Sequence, residues 1–184
     1  MTRSVLTLTA LFALAAASLA QTNAEGFITY TQNNSLFTYD ITLHNTGTTN
    51  IGTLWYAWVP GQDYLPVPPS STSNPSGWTF TQTTSLGFGT GLRWTAPGAL
   101  EIAPGDTMSG FEFTTTTTPA ELAGLSIFGA HPPVGTSFVY EHAFSGLNSS
   151  GGFTSIVINP VPEPATFAAL GLGAFCLVRR RRRG

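Results

Sequence analysis

The chain has 184 residues, seven basic and nine acidic side chains, and a formal net charge of −2. Six of the seven basic residues are Arg3 and Arg179 to Arg183, which leaves Arg93 as the one fixed cation in the middle, against eight carboxylates. Phosphate backbones require a basic footprint, so nucleic acid is excluded as a partner. The single cysteine, Cys176, lies near the C-terminus, so the region before it has no disulfide or thiolate metal site.

The N-terminus reads as an export signal. Arg3 gives a small positive start, Val5 to Ala17 is an apolar run, and Ser18-Leu19-Ala20 offers a small-x-small cleavage site before Gln21. Residues 1–20 are therefore expected to be a signal peptide handled by the secretion translocon. The apolar run is too short for a comfortable membrane span.

From there the pattern is that of strands. Phe27 to Gln32 is a first candidate. In Leu36 to Asn45, Phe37, Tyr39, Ile41 and Leu43 alternate with Thr38, Asp40, Thr42 and His44, which predicts a half-buried strand. Residues 45–50 carry turn chemistry, and Ile51 to Val59 is a strand apolar on both faces. Pro60 to Gly77 holds five prolines and is expected to stay out of any sheet ladder.

Strand signals resume at Trp78 to Ser85, Leu92 to Thr95 and Leu100 to Asp106, the last closing on a Pro-Gly turn. They continue at Met108 to Thr116, Leu125 to Ala130, Ser137 to Phe144 and Phe153 to Asn159. The β-branched Thr114 to Thr118 run suits a strand or its edge, and Pro119 to Ala123 suits one helical turn. Short strands, frequent turns and almost no helical periodicity predict an all-β fold. The expected form is a single antiparallel β-sandwich, Ig-like or jelly-roll-like, spanning residues 21–159. About 140 residues can build such a core without staples.

From Val161 the composition changes to Val-Pro-Glu-Pro-Ala-Thr, then the apolar Phe167 to Val178, then Arg179, Arg180, Arg181, Arg182 and Arg183 before Gly184. This tail, residues 160–184, resembles the PEP-CTERM sorting signal of exported Gram-negative bacterial proteins. Pro162, Glu163 and Pro164 match the motif, and the apolar and basic parts follow in the same order. The resemblance covers only the tail. It implies recognition by an exosortase, a membrane-embedded cysteine protease, and an association with extracellular polysaccharide and biofilm.

The physics of the tail suits a temporary anchor in the inner membrane. Ala165 to Val178 is 14 residues, about 21 Å as a helix, against a hydrocarbon core of about 30 Å. Snorkelling arginines and local thinning absorb part of the mismatch. Arg179 to Arg183 orient the C-terminus to the cytoplasm and the domain outward. Cys176, inside the apolar segment, reads as a packed thiol.

Catalytic and metal chemistry is sparse. His44, His131 and His142 show no paired ligand spacing, and adjacent Glu141 and His142 are expected on opposite strand faces. No Gly-x-Ser-x-Gly elbow occurs, and nothing selects a pair among Asp63, Glu101, Asp106 and Glu112. No cofactor, metal or enzyme activity is expected.

Aromatic residues cluster around the proline-rich segment. Alternation places Trp55 on one strand face, with Tyr56 and Trp58 on the other. Core packing is the favoured role for such rings. Tyr56, Trp58, Tyr64, Trp78 and Trp94 are also the candidate glycan-binding residues of an alternative carbohydrate-binding module acting on exopolysaccharide. A secreted hydrolase is a remote third reading. The leading expectation is a noncatalytic protein of the cell surface or extracellular matrix. With no cysteine in residues 21–159, its thermal unfolding midpoint is expected to stay unchanged on adding dithiothreitol in matched buffers.

Overall fold

The computed structural model describes residues 20–84, 89–127, 132–146 and 152–160. The expected signal peptide, save Ala20, and the tail beyond Pro160 lie outside the described residues. Among those described, no helix is long and apolar enough to cross a membrane.

The fold is all-β with antiparallel sheets. In chain order the strands are β1 (Ala24–Asn33), β2 (Leu36–Asn45), β3 (Ile51–Tyr56), β4 (Trp58–Val59), β5 (Gln62–Asp63) and β6 (Ser71–Ser73). There follow β7 (Thr79–Thr84), β8 (Thr90–Thr95), β9 (Thr107–Thr115), β10 (Thr136–Glu141) and β11 (Phe153–Val157). One sheet runs β1-β2-β9-β6 and a second β11-β10-β3-β8-β7, while β4 and β5 form a small hairpin.

Alternation does what the pattern of β2 predicts. Phe37, Tyr39, Ile41 and Leu43 are buried, and the residues between them are half-exposed. β1 joins β2 through a two-residue turn at Asn34, whose φ of 57° is the left-handed conformation such tight turns require. On β9, Phe111 and Phe113 point the same way as the apolar set of β2.

The second sheet answers with Leu54, Tyr56, Leu92, Trp94, Val139 and Ile156, and all these residues belong to one buried cluster. Ring contacts, edge-to-face at Phe111 and tilted at Phe113, bind the two sets. Phe111 meets Trp78 at 4.9 Å and Trp94 at 5.8 Å, and Phe113 meets Tyr56 at 5.3 Å. The polar ends of these rings are mostly satisfied: Tyr39 Oη donates to Thr117 O, Trp78 Nε1 to Leu100 O and Trp94 Nε1 to Ser73 O.

Several expectations need correction. The expected single strand Ile51 to Val59 is broken at Ala57, whose φ is +54°. Pro60 to Gly77 does enter ladders: β5 pairs with β4, and β6 pairs with β9. Its prolines bound these short segments and do not interrupt them, so no ladder N–H is lost. Leu100 to Asp106 forms no strand; Gly98–Leu100 is a 3-10 turn, and only Ile102 bridges to Ile51. Leu125 makes a lone bridge with Pro133 and is 71% exposed, and residues 128–130 of that expected strand lie outside the described residues.

The short helix α1 (Pro119–Ala123) forms where expected, capped reciprocally by Thr118 and Glu121. The hydrogen bonds from Thr118 also hold the Glu121 carboxyl below its ordinary pKa. Truncating Trp94 or Phe111 to Ala should cost about 3–5 kcal/mol of stability, read as a lower urea midpoint at unchanged slope.

Candidate functional site

The five candidate glycan-binding residues lie in the interior. Tyr56 and Trp94 are 0% exposed, Tyr64 1%, Trp58 3% and Trp78 4%. None offers a ring face to a sugar, which corrects the platform reading. Tyr56, Tyr64, Trp78 and Trp94 belong to the main core between the sheets. The driving force of burying such large apolar rings explains the placement.

Trp58 packs elsewhere, and its place depends on Ala57. The left-handed residue shifts the alternation by one step, so Trp58 joins Trp55 on the outer face of the five-stranded sheet. The two indoles stack with centroids 3.7 Å apart and planes 6° from parallel. Tyr140 completes this second cluster, with Phe138 and Phe144 against it. Burial pushes the Tyr140 phenol up to about 12.

Arg93, on neighbouring β8, lays its guanidinium 4.9 Å from the Trp55 ring centroid and 5.0 Å from that of Phe144. Desolvation pulls its pKa below the ordinary arginine value. Below the stack, Trp55 Nε1 donates to Thr83 Oγ1, which donates to Asp63 Oδ1 at 2.6 Å. The outer aromatic cluster escaped sequence reasoning because strict alternation separates Trp55 from Trp58. A lone arginine amid apolar strand residues was the available signal.

The acids and histidines are drawn into structural roles. Asp40 Oδ1 accepts the Gly110 amide, and His44 Nδ1 lies 3.0 Å from Thr107 Oγ1. Asp40 and Glu112 stand directly opposite each other across β2 and β9. His131 lies outside the described residues. Among those described, no group of three metal-ligating side chains converges.

Glu141 and His142 depart from the expected opposite faces. His142 has φ +64°, which turns its ring back to 3.5 Å from Glu141 Oε1. Its Nδ1 also lies 3.0 Å from Glu101 Oε2, a residue 41 positions away. The backbone at this bend is clamped by Thr53, whose Oγ1 donates to His142 O and accepts from Phe144 N. It passes so close to β3 that only glycine fits at residue 52, where a Cβ would overlap the His142 backbone.

The junction to the tail begins at β11. Ile158 leaves that strand, donates its amide to Gly135 O, and packs over Gly26 of β1. A Cβ on Gly26 would stand 2.5 Å from Ile158 Cγ1, so glycine permits this crossing. Pro160 then forms a parallel bridge with Ile28. The chain has thereby passed from the edge of one sheet to the edge of the other. Pro162, Glu163, Pro164 and Arg179 to Arg183 lie outside the described residues.

The Glu101 hydrogen bond, then its charge, raises the His142 pKa above its ordinary value, with a smaller push from Glu141. Stability from this pair is therefore full below the ordinary histidine range and lost as pH rises through the raised folded-state value. The side chain of His142 is 62% exposed, so the effect is small. Urea unfolding between about pH 6 and pH 8 should show that decline, and His142→Gln should flatten it.

Known proteins resemble the chain in part. No curated protein matches it. Two solved structures of a GH20 exo-β-N-acetylglucosaminidase from Vibrio harveyi align with 76% of this chain. An inactive mutant gives a TM-score of 0.43 at 14% identity. The complex with N-acetylglucosamine gives 0.40 at 11%. The chain spans 18% of the length of either enzyme, and likeness at this level carries no functional argument. The tail is different: residues 160–183 match the family model of the PEP-CTERM protein-sorting motif, as the order of Pro-Glu-Pro, apolar run and arginines requires.

Proposed function

We propose that the protein is an exosortase substrate: an exported, noncatalytic component of the cell surface or extracellular matrix, with a single β-sandwich as its exported domain. The match of residues 160–183 to the sorting motif carries this reading. Each part of the motif has its own physical task. The prolines keep the cleavage region extended and out of the helix, the apolar run partitions into lipid, and the arginines hold the end in the cytoplasm.

The sandwich reading draws support from the shared aromatic core between the two larger sheets. A noncatalytic role draws support from acids already engaged as structural partners: Asp40 with Gly110, Asp63 with Thr83, and Glu101 with His142. Exopolysaccharide as a partner has no support from the five buried aromatic residues.

In a host carrying an exosortase, mass spectrometry of the released protein should find an N-terminus near Gln21 and a C-terminus near Pro162-Glu163-Pro164. Replacing Arg179 to Arg183 by neutral residues should leave unprocessed chain behind. Native released protein still ending at Gly184 would overturn the reading.

A further inference from the structure

Arg93 is the one fixed cation of residues 21–160, and no acid of the fold is paired with it. Among the described residues, ion pairs form only around His142. The Arg93 Nε is closed off from solvent and meets no acceptor there, although the residue as a whole is partly exposed. A guanidinium carries five N–H donors in a planar fork. The rings of Trp55 and Phe144 hold this one in place, yet neither accepts an N–H in the plane of the fork. A charged donor buried without a carboxylate is costly, and such a group calls for a reason beyond packing.

Register sets what stands beside the fork. Trp55 lies directly across from Arg93 on β3, and Thr81 directly across on β7, so all three share the outer face of the five-stranded sheet. Rings border one side of the guanidinium: Trp55 and the half-buried Phe144. Hydroxyls border the other. Thr81 is exposed, and two residues along the same face Thr79 and Thr95 meet through their Oγ1 atoms at 2.9 Å. A donor fork, a ring and hydroxyls side by side match a sugar acid, with carboxylate to the fork, C–H face to the ring and hydroxyls to the threonines. The eight carboxylates of residues 21–160 set the charge of that ligand. They repel phosphate esters and polyanions, and leave a single carboxylate as the suitable anion.

We propose that Arg93, Phe144 and Thr81 form a binding site for a single sugar acid, a uronate, on the outer face of the five-stranded sheet. This goes beyond the sorting reading and does not depend on the tail. Trp55 supports the guanidinium, and its own ring is fixed through Thr83 Oγ1 to Asp63 Oδ1. The fork is thus held by packing alone, with no acid to displace before a ligand binds.

Calorimetric titration of the full chain, in micelles of a detergent without a sugar headgroup, tests the site with four probes: glucuronate, glucose, acetate and a glutamate-containing tripeptide. Glucuronate should bind about tenfold tighter than the other three, because it alone engages fork, ring and hydroxyls together. This comparison uses native protein, so no variant has to fold for it. Arg93→Lys keeps the charge and loses the planar fork, and Arg93→Gln loses both. Each should weaken glucuronate binding about tenfold or more, with the urea midpoint confirming that the variant is folded. Thr81→Val, at an exposed position, should weaken it about threefold. Failure of glucuronate to bind, equal binding by glucose or acetate, or unchanged affinity in folded Arg93→Gln would overturn the proposal. Equal binding by the tripeptide would also overturn it, assigning the fork to a protein carboxylate.

Discussion

Phe111 holds the two larger sheets together. Its ring, on β9, meets Trp78 and Trp94 edge-to-face. Trp94 in turn donates its indole N–H to Ser73, on the strand β6 that pairs with β9. Apolar burial and a directed hydrogen bond thus act on the same pair of layers. With no disulfide open to residues 21–159, the exported domain depends on packing of this kind. The aromatic residues that seemed best placed for a surface role are the ones the interior needs.

Legibility followed the regularity of the backbone. β2 was readable because ten residues keep strict alternation between one buried and one wet face. The helical turn Pro119 to Ala123 was readable from its proline, whereas Thr118, read as part of a strand or its edge, turned out to be the cap. Failures came where a non-glycine residue takes a left-handed conformation. Ala57 and His142 carry no local sign of it, yet each redirects the side chains that follow. Contacts distant in sequence, such as Glu101 with His142, were also hidden, because tertiary packing decides them. The prolines between Pro60 and Pro75 were read as a barrier when they are boundaries.

The tail was the most legible part, because its information is compositional and ordered. The junction was not. That the chain crosses from β11 to β1 depends on Gly26 yielding space to Ile158, a close approach that no pattern announces. The expected cleavage site at Gln21 and the start of the sorting motif consequently border the same strand. Gln21, the expected new N-terminus, exchanges backbone and side-chain hydrogen bonds with Thr48 just before β1 begins. Pro160 arrives beside its middle.

The position of Arg93 bears on survival outside the cell. The sequence contains no lysine, and between residues 21 and 178 this is its only arginine. A trypsin-like protease in the surroundings therefore finds one cleavable peptide bond in the whole exported domain. That bond lies within β8, paired on both sides by β3 and β7, while the side chain that such a protease must grasp is packed against Trp55 and Phe144. The domain gives up its single point of attack only when the sheet itself opens.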